Sequence, residues 1–385
     1  MELSNKKSVF GGINRNMSSY TMVIGLVGIW LIFSIVTNGL FLSPRNLSQL
    51  LRQTSIVALL SLGLAFIIIS GNNDLSCGNL LGLCGGISAV LQVWLGQNTI
   101  VAVLGAIGLG VICGMWNGYW IAYRKITAFI VTLGNMMIFQ GTLLAITKGI
   151  TIAPMQPDFI FIGQGYVPFT LGLVIAGIVE VIAVWSFING RRTKIKYGLD
   201  APSLFVTILK CVGITALIIV FVTVMHSYRD IPVPILIALA FALLFYIVAT
   251  RTRYGRSVYA IGGNREAAQL SGIKDKRVIF TMYVIMGSLA GLGGVILTAR
   301  MNAATANAGQ MMQMDAIASC FIGGISMRGG IGSIPGALVG ALVMASVDNG
   351  MSLLNLEYYW QYIIKGLIVI IAVWIDLTAN QSSTK

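Results

Sequence analysis

Between Arg251 and Arg277 the chain reads RTRYGRSVYAIGGNREAAQLSGIKDKR. These residue types build a short capped helix and offer no bond-making chemistry. Asn264 suits an N-cap, where a side-chain amide oxygen accepts from the first free N–H groups of a helix. Glu266 suits the positive first turn. Ala267, Ala268, Gln269 and Leu270 propagate the helix, and Gly272 followed by Ile273 fits a stop in the left-handed conformation. Two turns of helix do not hold in water by themselves, so the segment needs a surface to dock on. Two roles are open on this local grammar: a connecting helix lying on a membrane, or a helix that inserts into a partner protein and transmits force.

The remaining candidates are polar groups inside apolar sequence, where each is costly enough to imply a purpose. Asp74 stands at the boundary of an apolar segment and Asp315 near the start of a short one, so each fits a helix cap as well as a transport path. Asn135 and Gln140 share one apolar segment, where they would hydrogen-bond a polar solute or a neighbouring helix. Glu180 and Lys210 lie at matching depths, roughly 10 Å in from the ends of two adjacent antiparallel segments at ~1.5 Å per residue, and are expected to pair. His226, the single histidine, falls in a short loop and is a poor base for a hydrolase. Cys77, Cys84, Cys113, Cys211 and Cys320 sit in or beside apolar segments without a CxxC pair, the pattern of small packing residues, so no metal or disulfide framework is expected. There is no GxxxxGK[ST] phosphate loop, so no nucleotide hydrolysis is expected of this chain.

These residues need elements to hold them, and the composition says what kind. Of 385 residues 57% are hydrophobic and 10% charged, with a mean hydropathy of +0.87, whereas a soluble chain carries about a quarter charged residues. Apolar stretches long enough for spanning helices fall at 20–36, 55–70, 79–91, 99–121, 129–146, 167–187, 204–224, 233–250, 278–298, 311–325, 334–347 and 361–377. The reading is an all-α polytopic membrane protein of about 10–12 transmembrane helices, with the short glycine-rich ones broken or re-entrant. Broken backbone at membrane depth is tolerated only when buried or lining a cavity, which points towards transport. The first ten residues, MELSNKKSVF, are polar and carry no cleavable signal pattern.

The formal charge of +13 does not imply nucleic acid, because the basic residues sit in alternate loops. Eighteen fall on one side and five on the other, which places both termini in the cytoplasm by the positive-inside rule. The stretch GAIGLGVICGMWNG from Gly105 resembles GALVGALVMASVDNG from Gly336. The two run in opposite directions across the membrane, as in the inverted repeats of transporters.

The segment GGNREAAQLSGI resembles the EAA-type coupling loop of ATP-binding-cassette (ABC) importer permeases, in the form used by the monosaccharide (ribose/xylose-type) family. NLLRQTSIVALLSLGLAFIIISGNNDLSCGNLLGL, YRKITAFIVTLGNMM and DAIASCFIGGISMRGGIGSIPGALVGA match that family in order and cover nearly the whole chain, with additional segments around 167–224. The resemblance implies a single permease domain over 1–385, in the inner membrane of a bacterium. It implies a translocation path for a monosaccharide such as xylose, a second permease copy, a separate ATP-binding ATPase subunit and an extracytoplasmic sugar-binding protein. It also implies that Glu266, Ala267, Ala268 and Gly272 meet the ATPase, and no cofactor is implied. Asn73, Cys77 and Arg328 depart from the family's usual residues near the path, which puts the exact sugar in doubt. The competing class is an ion-coupled secondary transporter, for which Asp74 and Glu180 would be the relays.

Overall fold

In the computed structural model, residues 7–381 are described, with side-chain surroundings for 22–374; the outermost residues of both termini, on which the charge-based sidedness draws, lie outside the described residues. Fifteen α-helices account for almost all of it: α1 Lys7–Val36, α2 Pro44–Ile69, α3 Cys77–Ala89, α4 Thr99–Gly118, α5 Ala128–Thr147, α6 Pro157–Gln164, α7 Phe169–Lys196, α8 Leu204–His226, α9 Val233–Arg251, α10 Arg253–Gly263, α11 Arg265–Leu270, α12 Asp275–Met301, α13 Met312–Ile322, α14 Ile334–Leu353 and α15 Tyr358–Gln381. A π turn prolongs α3 to Trp94 and another prolongs α4 to Tyr123. Among the described residues the sheet structure is a two-residue antiparallel ribbon, β1 Tyr166–Val167 with β2 Ile231–Pro232. Nine described helices are long and apolar enough to cross a membrane, and 22–36, 312–322 and 358–374 are shorter apolar helices. The protein is an all-α polytopic membrane protein. Helix starts are written locally: Ser43, Asn98, Ser203, Thr252, Asn264 and Ser333 each accept from a backbone N–H of the first turn.

Two four-helix sets, α2–α5 and α12–α15, are built alike and run in opposite directions. In each, a long first helix is followed by non-helical chain and then by a shorter helix. After α2 the chain passes through 70–76 before α3 begins, and after α12 it passes through 302–311 before α13 begins. The sets are interlocked: α12 packs along α3 and α4, while α2 packs along α13 and α14. The contacts are backbone to backbone. A β-carbon at Gly110 would run into the Gly287 carbonyl and one at Gly287 into the Gly110 carbonyl, while Gly340 lies on the Ser319 carbonyl. Without a hydrophobic drive between helices in lipid, such close small-residue packing supplies much of the cohesion. The α4 and α14 segments are the pair whose sequences resemble each other.

One side of the bundle carries α10, α11 and residues 326–333; Gly330 N–H donates to the Ile69 carbonyl at the end of α2 (2.7 Å), and Tyr259 OH of α10 donates to the Gly332 carbonyl (3.0 Å). The opposite side is closed by α6 and the Ile152–Ala304 bridge. There Arg52 donates to the Gln164 carbonyl (2.7 Å) and Gln164 to the Arg300 carbonyl (3.0 Å).

The expected Glu180–Lys210 pair does not form. Glu180 accepts instead from Thr215 Oγ1 at 2.7 Å, and Lys210 is exposed. The helices α7 and α8 outrun the apolar spans read from sequence, so their register differs. Phe169 stacks on His226 at one end (4.0 Å between ring centres), and Arg191 Nε donates to the Pro202 carbonyl at the other (3.2 Å). By that register Lys210 is level with Trp185, more than a turn from Glu180. His226 accordingly ends α8, bonded to Asp230 (2.7 Å), and is not a free loop residue. Thr215→Val is expected to cost about 1.5–3 kcal/mol, the worth of a hydrogen bond to a charged group, and Lys210→Met within about 0.5 kcal/mol. Thermal unfolding in detergent measures both; equal losses would restore the ion pair.

Candidate translocation site

The starts of α3 and α13 meet inside the bundle. A β-carbon at Gly78 would strike the Gly309 carbonyl and Gln313 Oε1, and one at Gly82 the Ala308 carbonyl. Helix α13 has 11 residues, or roughly 16 Å by helix rise. That is about half the ~30 Å hydrocarbon core, so α13 is too short to span it. Discontinuous helices whose ends meet inside the bundle are how transporters place polar backbone around a solute.

A buried polar seam runs from this junction. Asp74 Oδ1 accepts from Ser76 N (2.8 Å) and Ser76 Oγ (2.6 Å), which turns the chain into α3. Ser76 Oγ in turn accepts from Asn117 Nδ2 (3.0 Å), Asn117 Oδ1 accepts from Asn135 Nδ2, and Asn135 Oδ1 accepts from Trp116 Nε1 (3.3 Å). Nearby, Asn79 Nδ2 donates to Gln140 Oε1 and Gln140 Nε2 to the Ala306 carbonyl, both 2.9 Å. Gln313 is buried and its Oε1 has no partner. The seam is made of neutral amides and hydroxyls around one carboxylate, a lining that can exchange hydrogen bonds with a neutral polar solute without trapping it.

The seam reaches a cavity of about 790 Å³ on the α11 side, lined by Asn72, Asn73, Lys125, Arg265, Gln269 and Asp275 among others. The Asn73 carbonyl also accepts from the buried Tyr283 OH of α12 (2.9 Å). The short helix α11 forms as its residues dictate. Asn264 Oδ1 accepts from Ala267 N (2.9 Å), and Gly272 takes φ +81°, with Ile273 N–H donating back to the Ala268 carbonyl (3.1 Å). A residue with a β-carbon at Gly272 would be strained. Asp275 Oδ2, at the start of α12, accepts from Arg265 Nε (3.0 Å), Arg265 Nη2 (2.8 Å) and Gln269 Nε2 (2.8 Å). Both ends of α11 are thereby fastened to α12.

That fastening corrects the expectation for Ala268. Residues 265, 268 and 269 share one helix face, and it turns inward: Ala268 is buried in this chain's own packing. Glu266 and Ala267 are exposed, and so is Leu270, at 90%. Leu270 is the outward apolar group that sequence reasoning took only for a helix former.

Of the four path candidates, Asp74 and Asn135 join one network and Gln140 lies on the same seam. Asp315 does not. Two residues on from Gln313, it points roughly 200° around the helix, where Lys365 Nζ pairs with Asp315 Oδ2 and with Asp348 Oδ2, each at 2.9 Å. Asn117, Ser76 and Asn79 were missed because small polar residues in glycine-rich helices look like packing. Asp348 and Lys365 were legible as charges in apolar runs, but not as partners. Among the described residues no cluster of His, Cys, Asp or Glu fits a metal ion, and all five cysteines are free.

Interlocked inverted halves, a short discontinuous helix and a buried polar seam define a membrane transport permease. A family profile described as branched-chain amino acid transport system / permease component matches residues 46–373, and the chain belongs to that family. It is 42% identical over 367 residues to the xylose transport system permease protein of Haemophilus influenzae, covering 95% of this chain and 97% of that one. It is 41% identical over 377 residues to the corresponding Escherichia coli K12 protein (97% and 95%). To the ribose import permease protein of Bacillus subtilis it is 32% identical over 379 residues (98% and 97%). No solved structure gives a significant match.

Proposed function

We propose that this chain is the membrane-spanning subunit of an ATP-driven monosaccharide importer, xylose or a similar pentose being its solute. The α11 side faces the cytoplasm, in keeping with the excess of basic residues there. A separate ATPase subunit docks on α11, an extracytoplasmic binding protein delivers the sugar on the opposite side, and a second copy of this chain completes the path. The observation that carries the coupling role is the exposed face Glu266, Ala267 and Leu270 on a helix whose other face is bolted to α12 through Asp275. A push on α11 moves α12, and α12 lies along both α3 and α4, the helices that hold the polar seam. The sugar assignment is supported by the relatives named above and by a seam of amides and hydroxyls with a single carboxylate. A zwitterionic amino acid would instead call for paired fixed charges along the seam.

The test separates the two faces of α11. Burying Leu270 in a partner is worth about 1.5–3 kcal/mol, so Leu270→Asp is expected to cut ATPase co-purification at least tenfold and to leave the chain's own thermal stability unchanged. Ala268→Leu should do the reverse, lowering this chain's melting temperature in the absence of any partner. In proteoliposomes, the assembled wild-type complex with binding protein should couple ATP hydrolysis to pentose uptake. Uphill uptake by this chain alone, driven by an ion gradient, would establish a secondary transporter, and unaltered ATPase recovery with Leu270→Asp would reduce α11 to a connector.

A further inference from the structure

A second, smaller cavity of about 220 Å³ lies on the side opposite α11, between α2, the segment joining α12 to α13, and the facing ends of α14 and α15. At ~30 Å³ per water molecule it holds roughly seven waters, the scale of a single sugar ring. Its walls combine Asp315, Asp348, Lys365, Gln53 and Arg300 with the rings of Tyr358 and Tyr362. Lys365 binds one oxygen of each aspartate. The other oxygens, Asp315 Oδ1 and Asp348 Oδ1, are buried without a hydrogen-bond partner, as is Gln53 Oε1. Asp315 is itself 3% exposed.

Buried polar atoms are rarely left unsatisfied, and each costs about 1–3 kcal/mol when it is. Three such acceptors belong to residues that line one cavity, and because the atoms themselves are closed to solvent, an occupant that brings donors meets them only once these side chains turn towards it. The charges in the walls, two aspartates against Lys365 and Arg300, balance, so the occupant need not be an ion. A neutral, donor-rich molecule with one face able to lie on an aromatic ring meets all of these conditions, and a monosaccharide has that form. The cavity is separate from the seam: Asp315 faces it, and Gln313 on the opposite face of α13 faces α3. The two therefore flank the same half-helix.

We propose that this cavity is an outer sugar subsite, in which Asp315, Asp348 and Gln53 accept from sugar hydroxyls before the sugar passes α13. The proposal rests on the importer reading and deepens it.

Ser352 lines the cavity and is exposed, so it can report occupancy without transport. In a chain with Cys113→Ser and Cys211→Ser, Ser352→Cys would be labelled by a membrane-impermeant maleimide added outside right-side-out vesicles holding the full complex and ATP. The expected result is that D-xylose slows labelling at least threefold. Gln53→Ala should raise the protecting concentration by roughly threefold to tenfold, the worth of one hydrogen bond. Equal labelling with and without D-xylose, in vesicles that accumulate it, would overturn the subsite and leave the importer reading standing. Protection by leucine or calcium chloride but not by sugars would also overturn it. Protection by D-xylose in vesicles that accumulate no sugar would uphold the subsite and remove the importer reading.

Discussion

Gly287→Val is expected to prevent recovery of a folded bundle. Gly287 of α12 and Gly110 of α4 each lie where the other's carbonyl leaves no room for a β-carbon, and Gly291 adds a further close approach against Ala106 and Ile107 one turn on. Overpacking a core usually costs 1–3 kcal/mol because side chains can shift. Here the obstacle is helical backbone, which can yield only by separating the helices, so the cost should exceed about 3 kcal/mol. Separation would also draw α12 away from α3 and break the interlock on which the two halves depend. Size-exclusion chromatography in mild detergent should show monodisperse protein falling at least tenfold. Gly108→Val on α4, the helix that carries Gly110, is the control, since a β-carbon there meets nothing within 4 Å. Comparable loss in both variants would mean that helix propensity and not the glycine contact sets the outcome.

Lys365→Met should be nearly as damaging, by a different route. Lys365 from α15 holds Asp315 of α13 and Asp348 of α14, and α13 packs on α15, so one ammonium fastens three helices. Removing one member of a buried ionic group leaves uncompensated charge and typically costs 3–5 kcal/mol. The expected signature is a large fall in melting temperature that salt does not mimic, because a buried pair is poorly screened. The triple variant Lys365→Met, Asp315→Asn, Asp348→Asn removes the charge imbalance and should recover much of the loss. A melting temperature for Lys365→Met equal to wild type, or no recovery in the triple variant, would show that α15 is held by its apolar contacts alone.

The short helix α11 shows how far local sequence reaches. Its cap at Asn264, its run through Leu270 and its stop at Gly272 are decided by hydrogen bonds within ten residues of chain, so they can be read in order. Which of its faces is free cannot be, because that depends on Asp275 taking three hydrogen bonds from Arg265 and Gln269 and turning Ala268 inward. The hairpin α7–α8 fails in an instructive way. Glu180 and Lys210 match in depth only if the helices end where the apolar runs end; α7 continues to Lys196, and the real register sets Glu180 against Thr215.

The membrane class, the broken helices, the relation of α4 to α14 and the short helix α11 are matters of composition, period and capping. They follow from the sequence by itself, since apolar length and glycine placement answer to the bilayer and to the backbone whatever the neighbours are. The seam from Asp74 to Asn135, the separation of Asp315 from it, the Lys365 triad and the outward Leu270 were decided only by the tertiary structure. Each depends on which helix lies beside which, and interlocked packing joins residues tens to hundreds of positions apart. A buried polar group announces its cost in the sequence, but its partner is chosen by the fold.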